Sequence, residues 1–174
     1  DCLARLMSYS TSDVESMHTT ATRILVQQLH PSGGSIASEV EGFAESLLEP
    51  FHSGKQQQQQ TAADEENAKK RLRLLMALCT QSPSCTEKIY TQYALAGDAL
   101  RKAIFAQFPQ LLKNYASSRT TGTPVLLTLI GSPPTGSEEL AIQLLTAIAD
   151  AERPTIPVMT AARNLFAKCN DPRA

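Results

Sequence analysis

The stretch Leu129–Leu145, LIGSPPTGSEELAIQLL, decides the fold because it has the pattern of a sharp corner between two helices. Gly131 is predicted to take the left-handed backbone conformation that closes a helix, and the prolines that follow it cannot continue one. Thr135 stands three residues before Glu138, the spacing of a capping box, in which the two residues satisfy each other's backbone donors. Apolar residues then recur at helical spacing: Leu140, Leu144, Leu145 and Ile148.

Helical patterns also fill the N-terminal part of the chain. Residues 1–9 form a short apolar piece that fits the last turns of a helix. Ser12 and Glu15 have capping-box spacing, and apolar residues stepping by three and four predict a helix from there to Leu29. A proline and two glycines end it. A second helix is predicted from about Ser35, paired with the first as an antiparallel hairpin. Its predicted buried stripe is Ile36, Val40, Phe43, Leu47 and Phe51.

Further helices are predicted after the glutamine run that follows this hairpin. Acidic residues 64–66 open a helix that runs to about Gln81, and they lie at the positive end of its dipole. Ser84 and Glu87 have the spacing of another capping box. Gly97-Asp98 then separates the helix that they begin from the next one.

Prolines and a last apolar stripe mark the remaining helices. Pro109 is predicted to kink or restart a helix, and Pro124 is predicted to be the first residue of another. A last helix follows Arg153-Pro154-Thr155, and its predicted buried face is Val158, Ala162, Leu165 and Cys169. Asp171-Pro172 has the pattern of a cap and a first helical residue, so we expect the natural protein to continue.

The whole pattern predicts an all-α fold of about eight to ten helices. No stretch of any length alternates apolar and polar residues as a strand does. With no Trp and only 5% aromatic residues, the chain must build its interior mainly from aliphatic side chains. Helix pairs recur at a loose period of roughly 40 residues, near that of HEAT-type repeats. The imperfect period by itself leaves an α-solenoid and an irregular bundle open.

Three regions are expected along the chain. Residues 1–51 hold N-terminal helical pairs, residues 52–62 form a flexible Gln-rich loop, and residues 63–174 hold helical repeats. The five consecutive glutamines of the loop have no apolar face to bury. They fit an interaction tract or, as we favour, an insertion that the loop tolerates because lengthening a loop costs little entropy.

A family resemblance rests on three segments: residues 129–145, residues 78–84 (LCTQSPS) and residues 154–174. Together they resemble the symplekin family, mainly its plant and algal forms, over residues 74–174. The similar region is the start of the family's C-terminal domain. The resemblance implies HEAT-like helical-hairpin repeats, as a truncated fragment of an α-solenoid. It also implies a nuclear, non-catalytic scaffold subunit that holds factors together in pre-mRNA 3′-end cleavage and polyadenylation.

The partners that the resemblance implies are proteins. They are subunits of the cleavage and polyadenylation specificity factor, namely its endonuclease and the inactive paralogue of that endonuclease, and also cleavage stimulation factor. A second hypothesis is an independent helical bundle that binds a small molecule or a peptide helix in a groove. A piece of a solenoid exposes apolar surface at its ends and should self-associate, whereas an independent bundle should be a monomer.

Composition and charge argue against several other classes. With 17 acidic and 16 basic residues the net charge is −1, so direct nucleic-acid binding is not expected. No apolar run approaches membrane-spanning length, the first residues lack a secretory pattern, and no membrane partner is expected. The cysteines lack Cys-x-x-Cys spacing and are predicted to be reduced thiols, three of them packed against helices. They are Cys2, Cys79, Cys85 and Cys169.

One basic cluster is a candidate interaction or nuclear-import patch: Lys69, Lys70, Arg71 and Arg73. We favour a solvated helix face instead. Glu65 precedes Lys69 by four residues and Glu66 precedes Lys70 by four, which is the favourable order for helix ion pairs. Such pairs would neutralise part of the basic charge.

No residue constellation indicates catalysis, a cofactor or a metal. The histidines are expected at the surface or in loops, since none lies three or four residues from another His or a Cys. They are His18, His30 and His52. Gly131 and Gly136 have the spacing of a phosphate-binding loop, but Ser137-Glu138 stands where Lys-Ser/Thr is required. A helix corner is the favoured interpretation, and we predict that the chain is not an enzyme.

Overall fold

The computed structural model describes residues 2–53, 62–118, 124–151 and 155–169, and within them it is built from α-helices. Nine α-helices lie in these ranges, so the predicted all-α class and helix number are confirmed. They are α1 Cys2–Tyr9, α2 Glu15–Ile24, α3 Gly34–Ser46, α4 Ala62–Gln81, α5 Thr86–Leu95, α6 Asp98–Ser118, α7 Pro124–Gly131, α8 Glu138–Ala151 and α9 Ile156–Cys169. Strand-like pairing in the described ranges is limited to an isolated bridge between His52 and Ala96.

Helices that alternate along the chain pack against each other. One series runs from α4 to α6 to α8, and a second runs from α5 to α7 to α9. Consecutive helices also make contact, as α5 does with α6 and α8 with α9. The N-terminal helices join the same body, because α3 contacts α4 and the segment that continues α2 also contacts α4. The helices from α4 to α9 therefore pack as two series, which we call the helical layers.

The turn between α2 and α3 is tightly wound. Beyond α2, the chain continues as a π-helical turn, Leu25–Leu29, and a 3₁₀ turn, His30–Ser32. Gly33 and Gly34 follow with φ of 69° and 64°, a conformation that favours glycine, so the helix ends where the sequence predicts. Helix α3 packs against both turns.

The three predicted capping boxes are wrong in detail. Ser12 Oγ accepts a hydrogen bond from the Val14 amide at 3.2 Å, while the Glu15 carboxylate pairs with a distant arginine. Ser84 Oγ pairs with Ser82 Oγ at 2.7 Å, and a 3₁₀ turn precedes α5. At the third site the Glu138 carboxylate accepts from the Gly136 amide, at 2.9 Å. Local spacing thus marks helix starts, but the polar side chains find other donors.

Gly131 has a different role from the predicted one. It is the last residue of α7, and the left-handed glycine of this corner is Gly136, with φ of 87°. A Cβ atom at Gly131 would lie 3.4 Å from the Cα atom of Ala161 in α9. A glycine at this position therefore allows the backbones of α7 and α9 to approach closely.

The predicted buried stripes of α3 and α9 are confirmed in part, at Val40 and Phe51 and at Val158 and Leu165. In α3 the buried residues are Val40 and Ala44, and Ile36 is 38% exposed. In α9 the buried face is Val158, Ala161 and Leu165, whereas Ala162 is half-buried and Cys169 is exposed. The prediction of three packed cysteines is also wrong. All four are free thiols, but only Cys79 and Cys85 are buried.

Other sequence predictions concern helix ends and the loop. Helix α6 continues through Pro109, so the proline does not restart it. Helices α4, α7 and α8 lie where the sequence predicts them. His52 and Ser53, the first residues of the predicted Gln-rich loop, are fixed to the α5–α6 turn, for example by the Ser53 amide donating to Leu95 O at 2.9 Å. Ala62, the last residue of the predicted loop, is instead the first residue of α4. Residues 54–61 and the Asp171-Pro172 cap lie outside the described residues.

Two buried tyrosines differ in how their hydroxyls are satisfied. The Tyr115 hydroxyl, in α6, lies 2.7 Å from Thr86 Oγ1 and donates to the Cys79 carbonyl at 2.8 Å. The Tyr90 ring packs edge-on against Phe108, with centroids 6.1 Å apart. Its hydroxyl is buried and has no hydrogen-bond partner within the part of the chain that the structure describes.

We therefore expect opposite results when each tyrosine is changed to Phe. Tyr115→Phe should lower the free energy of unfolding by about 1–2 kcal/mol, because buried polar groups lose their partner. Tyr90→Phe should be neutral or slightly stabilising, because it removes an unsatisfied buried hydroxyl. Denaturant melts of both variants and the parent measure this. Equal destabilisation would contradict the hydrogen bonding described for the two rings.

Candidate interaction surface

A groove lies between the α1–α2 turn, α3 and α4. Its volume is about 640 Å³. One wall consists of small polar residues of the α1–α2 turn, and the opposite wall carries basic residues of α4. Phe43, Leu47 and Leu74 form its apolar floor. We call this surface the α4 groove.

Three residues of the predicted basic patch line the α4 groove, namely Lys70, Arg71 and Arg73. Lys69 points elsewhere on α4 and pairs with Glu65, with Nζ and Oε1 3.1 Å apart, as the sequence predicts. The predicted pairing of Lys70 with Glu66 is replaced by a contact across the groove. The structure thus places the patch on one helix and divides it between two faces.

Acidic residues of the α1–α2 turn face these bases. Lys70 Nζ lies 3.7 Å from Asp13 Oδ1, and Arg73 Nη1 lies 3.1 Å from Glu15 Oε2. All four side chains are more than two-fifths exposed, so each pair contributes little to stability. A ligand with its own carboxylates could exchange with Asp13 and Glu15 at a small cost.

A buried histidine separates the α4 groove from a second concavity along α2. His18 is 9% exposed, and both of its ring nitrogens lack a hydrogen-bond partner among the described residues. Thr22 Oγ1, one turn further along α2, is also buried without a partner. The second concavity, about 500 Å³, shares Glu15, His18 and Arg73 with the first. The prediction that His18 lies on the surface is wrong.

Burial and the charge of Arg73 lower the pKa of His18, and Glu15 only partly opposes them. Folding therefore favours the neutral form of the His18 ring over the protonated form. Because the folded pKa lies below the unfolded value of about 6.5, the unfolded state binds more protons as the pH falls through this region. The stability that neutral His18 contributes is present above pH 6.5 and is lost below it.

We expect His18→Leu to weaken the loss of stability between about pH 7 and pH 5, because the titrating group is removed. Chemical denaturation of the parent and the variant at several pH values measures this. His52→Gln is the matched control, since His52 Nε2 already has a partner, Gln92 Oε1, at 2.8 Å. An unchanged pH profile in His18→Leu would contradict the assignment.

A second polar cluster lies where the α2–α3 turn meets the start of α5. His30 Nε2 is 2.8 Å from Glu41 Oε1. The Cys85 Sγ atom lies 3.9 Å from His30 Nε2 and 3.7 Å from Glu41 Oε1. On the far side of the carboxylate, Lys88 Nζ is 3.4 Å from Glu41 Oε2 and in direct contact with Glu45. We call the first three residues the His-Glu-Cys cluster.

The charges in this cluster favour an ionised Glu41. Burial raises the pKa of the Glu41 carboxyl, but the hydrogen bond from His30 and the charge of Lys88 outweigh it, and the pKa is lowered. Burial lowers the pKa of Lys88, whereas Glu45 and Glu41 raise it, and the net direction is upward. Burial and Glu41 raise the pKa of the Cys85 thiol.

Sequence spacing could not reveal the His-Glu-Cys cluster. Its members are separated by 11, 44 and 55 positions along the chain, so no short motif contains two of them. The nearest local signal was the position of His30 at a helix end and of Cys85 before a helix start. Only the tertiary fold brings the α2–α3 turn, α3 and the turn before α5 together.

The two carboxylates at the start of α8 have structural partners. Glu138 accepts from the Gly136 backbone amide, at 2.9 Å. Glu139 accepts from the Tyr93 hydroxyl at 2.7 Å, and burial together with this bond raises the pKa of Tyr93 to about 12. The stretch with phosphate-loop spacing is a turn between α7 and α8. These residues fix the corner between helices.

Comparison of the chain with protein-family models, curated proteins and solved structures finds no match. The residues themselves therefore have to carry any functional assignment. Among the described residues, no helix has both the length and the apolar character needed to cross a bilayer. The arrangement offers a groove with paired charges, an unsatisfied buried histidine and a separate His-Glu-Cys cluster.

Proposed function

We propose that this chain is a non-catalytic scaffold segment of the nuclear machinery for pre-mRNA 3′-end cleavage and polyadenylation. Residues 74–174 resemble the symplekin family, and they overlap the helices that pack in alternation, α4 to α9. This alternate packing is the observation that supports the proposal most strongly. It is what HEAT-like hairpins in an α-solenoid produce, and such arrays present extended surfaces to partner proteins.

The outer face of α9 supports an array that extends further. Ile156, Met159 and Phe166 are 80%, 62% and 57% exposed. They lie on the side of α9 opposite the buried Val158 and Leu165, in one stripe at helical spacing. We propose that another helical repeat packs on this stripe and continues the two layers.

In the isolated chain a second copy should cover the α9 stripe. We expect concentration-dependent self-association, which Met159→Gln combined with Phe166→Gln should weaken by at least about tenfold, because two apolar side chains lose their burial. Size-exclusion chromatography with light scattering over a dilution series measures it. The matched control is Leu95→Gln combined with Ile142→Gln, two exposed apolar residues on other helices.

Either of two results would count against the array. The control could weaken association as much as the α9 variant, which would show non-specific stickiness. Alternatively, the parent could stay monomeric at every concentration, which is the behaviour of an independent bundle.

We propose the α4 groove as a contact for an acidic segment of a processing factor. A nuclear-import role for the same bases is less favoured, because Lys70 and Arg73 are held in ion pairs across a groove and lie on a packed helix. The implied partners are the endonuclease subunit of the cleavage and polyadenylation specificity factor, its inactive paralogue, and cleavage stimulation factor. Exchange of Asp13 and Glu15 for partner carboxylates would keep the bases paired.

Affinity capture tests the proposed function. The immobilised chain should enrich these cleavage and polyadenylation subunits from nuclear extract, identified by mass spectrometry. Lys70→Glu combined with Arg73→Glu should reduce their recovery severalfold, because two attractive charges become repulsive. Lys102→Glu combined with Lys113→Glu, on α6, is the matched control. Equal recovery of the subunits by a bare matrix, or no recovery by the chain, would contradict the scaffold function.

A second candidate function is an independent bundle that binds a small molecule or a peptide helix. The observation that favours it is the α4 groove itself, which combines an apolar floor with the unsatisfied His18 at its edge. A chain that is monomeric, recovers no processing subunit and gains thermal stability from an amphipathic acidic peptide would support this function over the first.

A further inference from the structure

The His-Glu-Cys cluster brings three different metal-binding side chains to one point. His30 offers a ring nitrogen, Glu41 a carboxylate oxygen and Cys85 a sulfur, and these atoms lie within 4.8 Å of one another. Each comes from a different structural element, so their convergence is a property of the tertiary fold. From this geometry we infer a site for one zinc ion.

The distances between the ligand atoms fit a zinc ion without large movement. The three separations, 2.8, 3.9 and 3.7 Å, define a circle of radius about 2.0 Å through the nitrogen, oxygen and sulfur atoms. Three ligands of a tetrahedral zinc ion, at bond lengths of about 2.0–2.3 Å, define a circle of nearly the same radius. The ion would replace the direct contact between His30 and Glu41 and bind both residues.

The mixture of ligand types selects zinc among the common divalent ions. Magnesium and calcium prefer oxygen ligands alone, whereas zinc accepts thiolate, imidazole and carboxylate in one site. Three protein ligands leave a fourth position, which water fills in zinc sites of this kind. The Cys85 thiol proton passes to solvent when the thiolate binds the ion.

The positive charge of Lys88 would repel a cation at this site, but its position and its acidic neighbours reduce the repulsion. Its ammonium group contacts Oε2 of Glu41, whereas Oε1 faces His30 and Cys85. Glu45, in direct contact with the same ammonium, balances its charge. Lys88 can therefore hold the Glu41 carboxylate in orientation, as residues behind metal ligands commonly do. The net charge of the occupied site would be zero, counting Zn²⁺, the Cys85 thiolate, neutral His30, the two glutamates and Lys88.

The burial of the ligands also fits a bound ion. Cys85 is 3% exposed, and the His30 and Glu41 side chains are 11% and 23% exposed. This leaves one partly open side through which an ion and a water molecule could enter. A zinc ion would link the α2–α3 turn to the start of α5 and so fasten the N-terminal hairpin to the helical layers. The inference is independent of the scaffold function.

Metal titration of the full chain tests this site. The background carries Cys2→Ser and Cys169→Ser, because those two thiols are exposed and could bind zinc adventitiously. After chelator treatment, we expect this chain to bind one zinc ion in competition with a chromophoric chelator and to melt at a higher temperature with zinc. Cobalt(II) should give the near-ultraviolet band of a thiolate-bound ion.

Variants of the ligands distinguish this site from other thiols. Cys85→Ser and His30→Gln should each weaken zinc binding by more than about 100-fold, beyond the usual effect of changing residues behind the ligands. Cys79→Ala is the matched control, since Cys79 is the other buried thiol. This variant should retain the zinc affinity of the background chain and the cobalt absorption band. Far-UV circular dichroism checks that each variant folds. If Cys85→Ser does not fold, Glu41→Gln supplies another ligand test, because the Glu41 side chain is partly exposed.

Three results would overturn the inference. Zinc could bind with the same affinity after His30→Gln and Glu41→Gln, which would place it elsewhere. The cobalt band could disappear in Cys79→Ala and persist in Cys85→Ser. The background chain could also bind no zinc in the micromolar range while remaining folded.

Discussion

The packing of α4 against α6 is the contact on which the other features depend. The Tyr115 hydroxyl of α6 reaches the Cys79 carbonyl of α4, and the Gln107 amide donates to the Lys69 carbonyl at 3.3 Å, so the two helices are tied at separate points along their lengths. Because Thr86 shares the Tyr115 hydroxyl, the start of α5 is fixed by the same contact. The α4–α6 pair therefore fixes the positions of both the basic wall of the α4 groove and the turn before α5 that contains Cys85.

That relation explains why two polar sites can lie beside a mainly aliphatic core. Helix α4 turns its apolar side towards α6 and leaves Lys70 and Arg73 towards the α1–α2 turn. Helix α3 covers the next part of α4 and presents Glu41 to the α2–α3 turn. In these two sites, the charged side chains named here stay near solvent and have partners. The core is therefore not required to bury an isolated charge at either site.

Sequence reasoning predicted the helices well, since apolar spacing, prolines and acidic first turns are local signals. It failed where the partner of a side chain is distant along the chain. Glu15 has capping-box spacing, yet it pairs with Arg73, and His30 has no nearby ligand in the sequence, yet it contacts Glu41 and Cys85. Gly131 shows the same limit, because the close approach of Ala161 that explains it is a tertiary contact. The sequence identifies the residues of the basic patch. Their division between a groove and a solvated helix face depends on which elements pack beside α4, and local sequence does not show this.

The two polar sites have different consequences for a helical array. The α4 groove lies at the surface, its ion pairs are exposed, and its charges can be exchanged for those of a partner at little cost to the fold. The His-Glu-Cys cluster is more buried and joins elements that are distant in sequence, so a ligand there would stabilise the chain itself, because binding to the folded state alone shifts the unfolding equilibrium. A zinc ion at the α2–α3 turn would link α3 to the turn before α5. It would thereby fix the apolar floor of the groove, to which α3 contributes Phe43 and the residue directly after α3 contributes Leu47. If zinc occupies the cluster and the proposed acidic partner occupies the groove, the position of α3 would couple the two sites without a contact between the ligands.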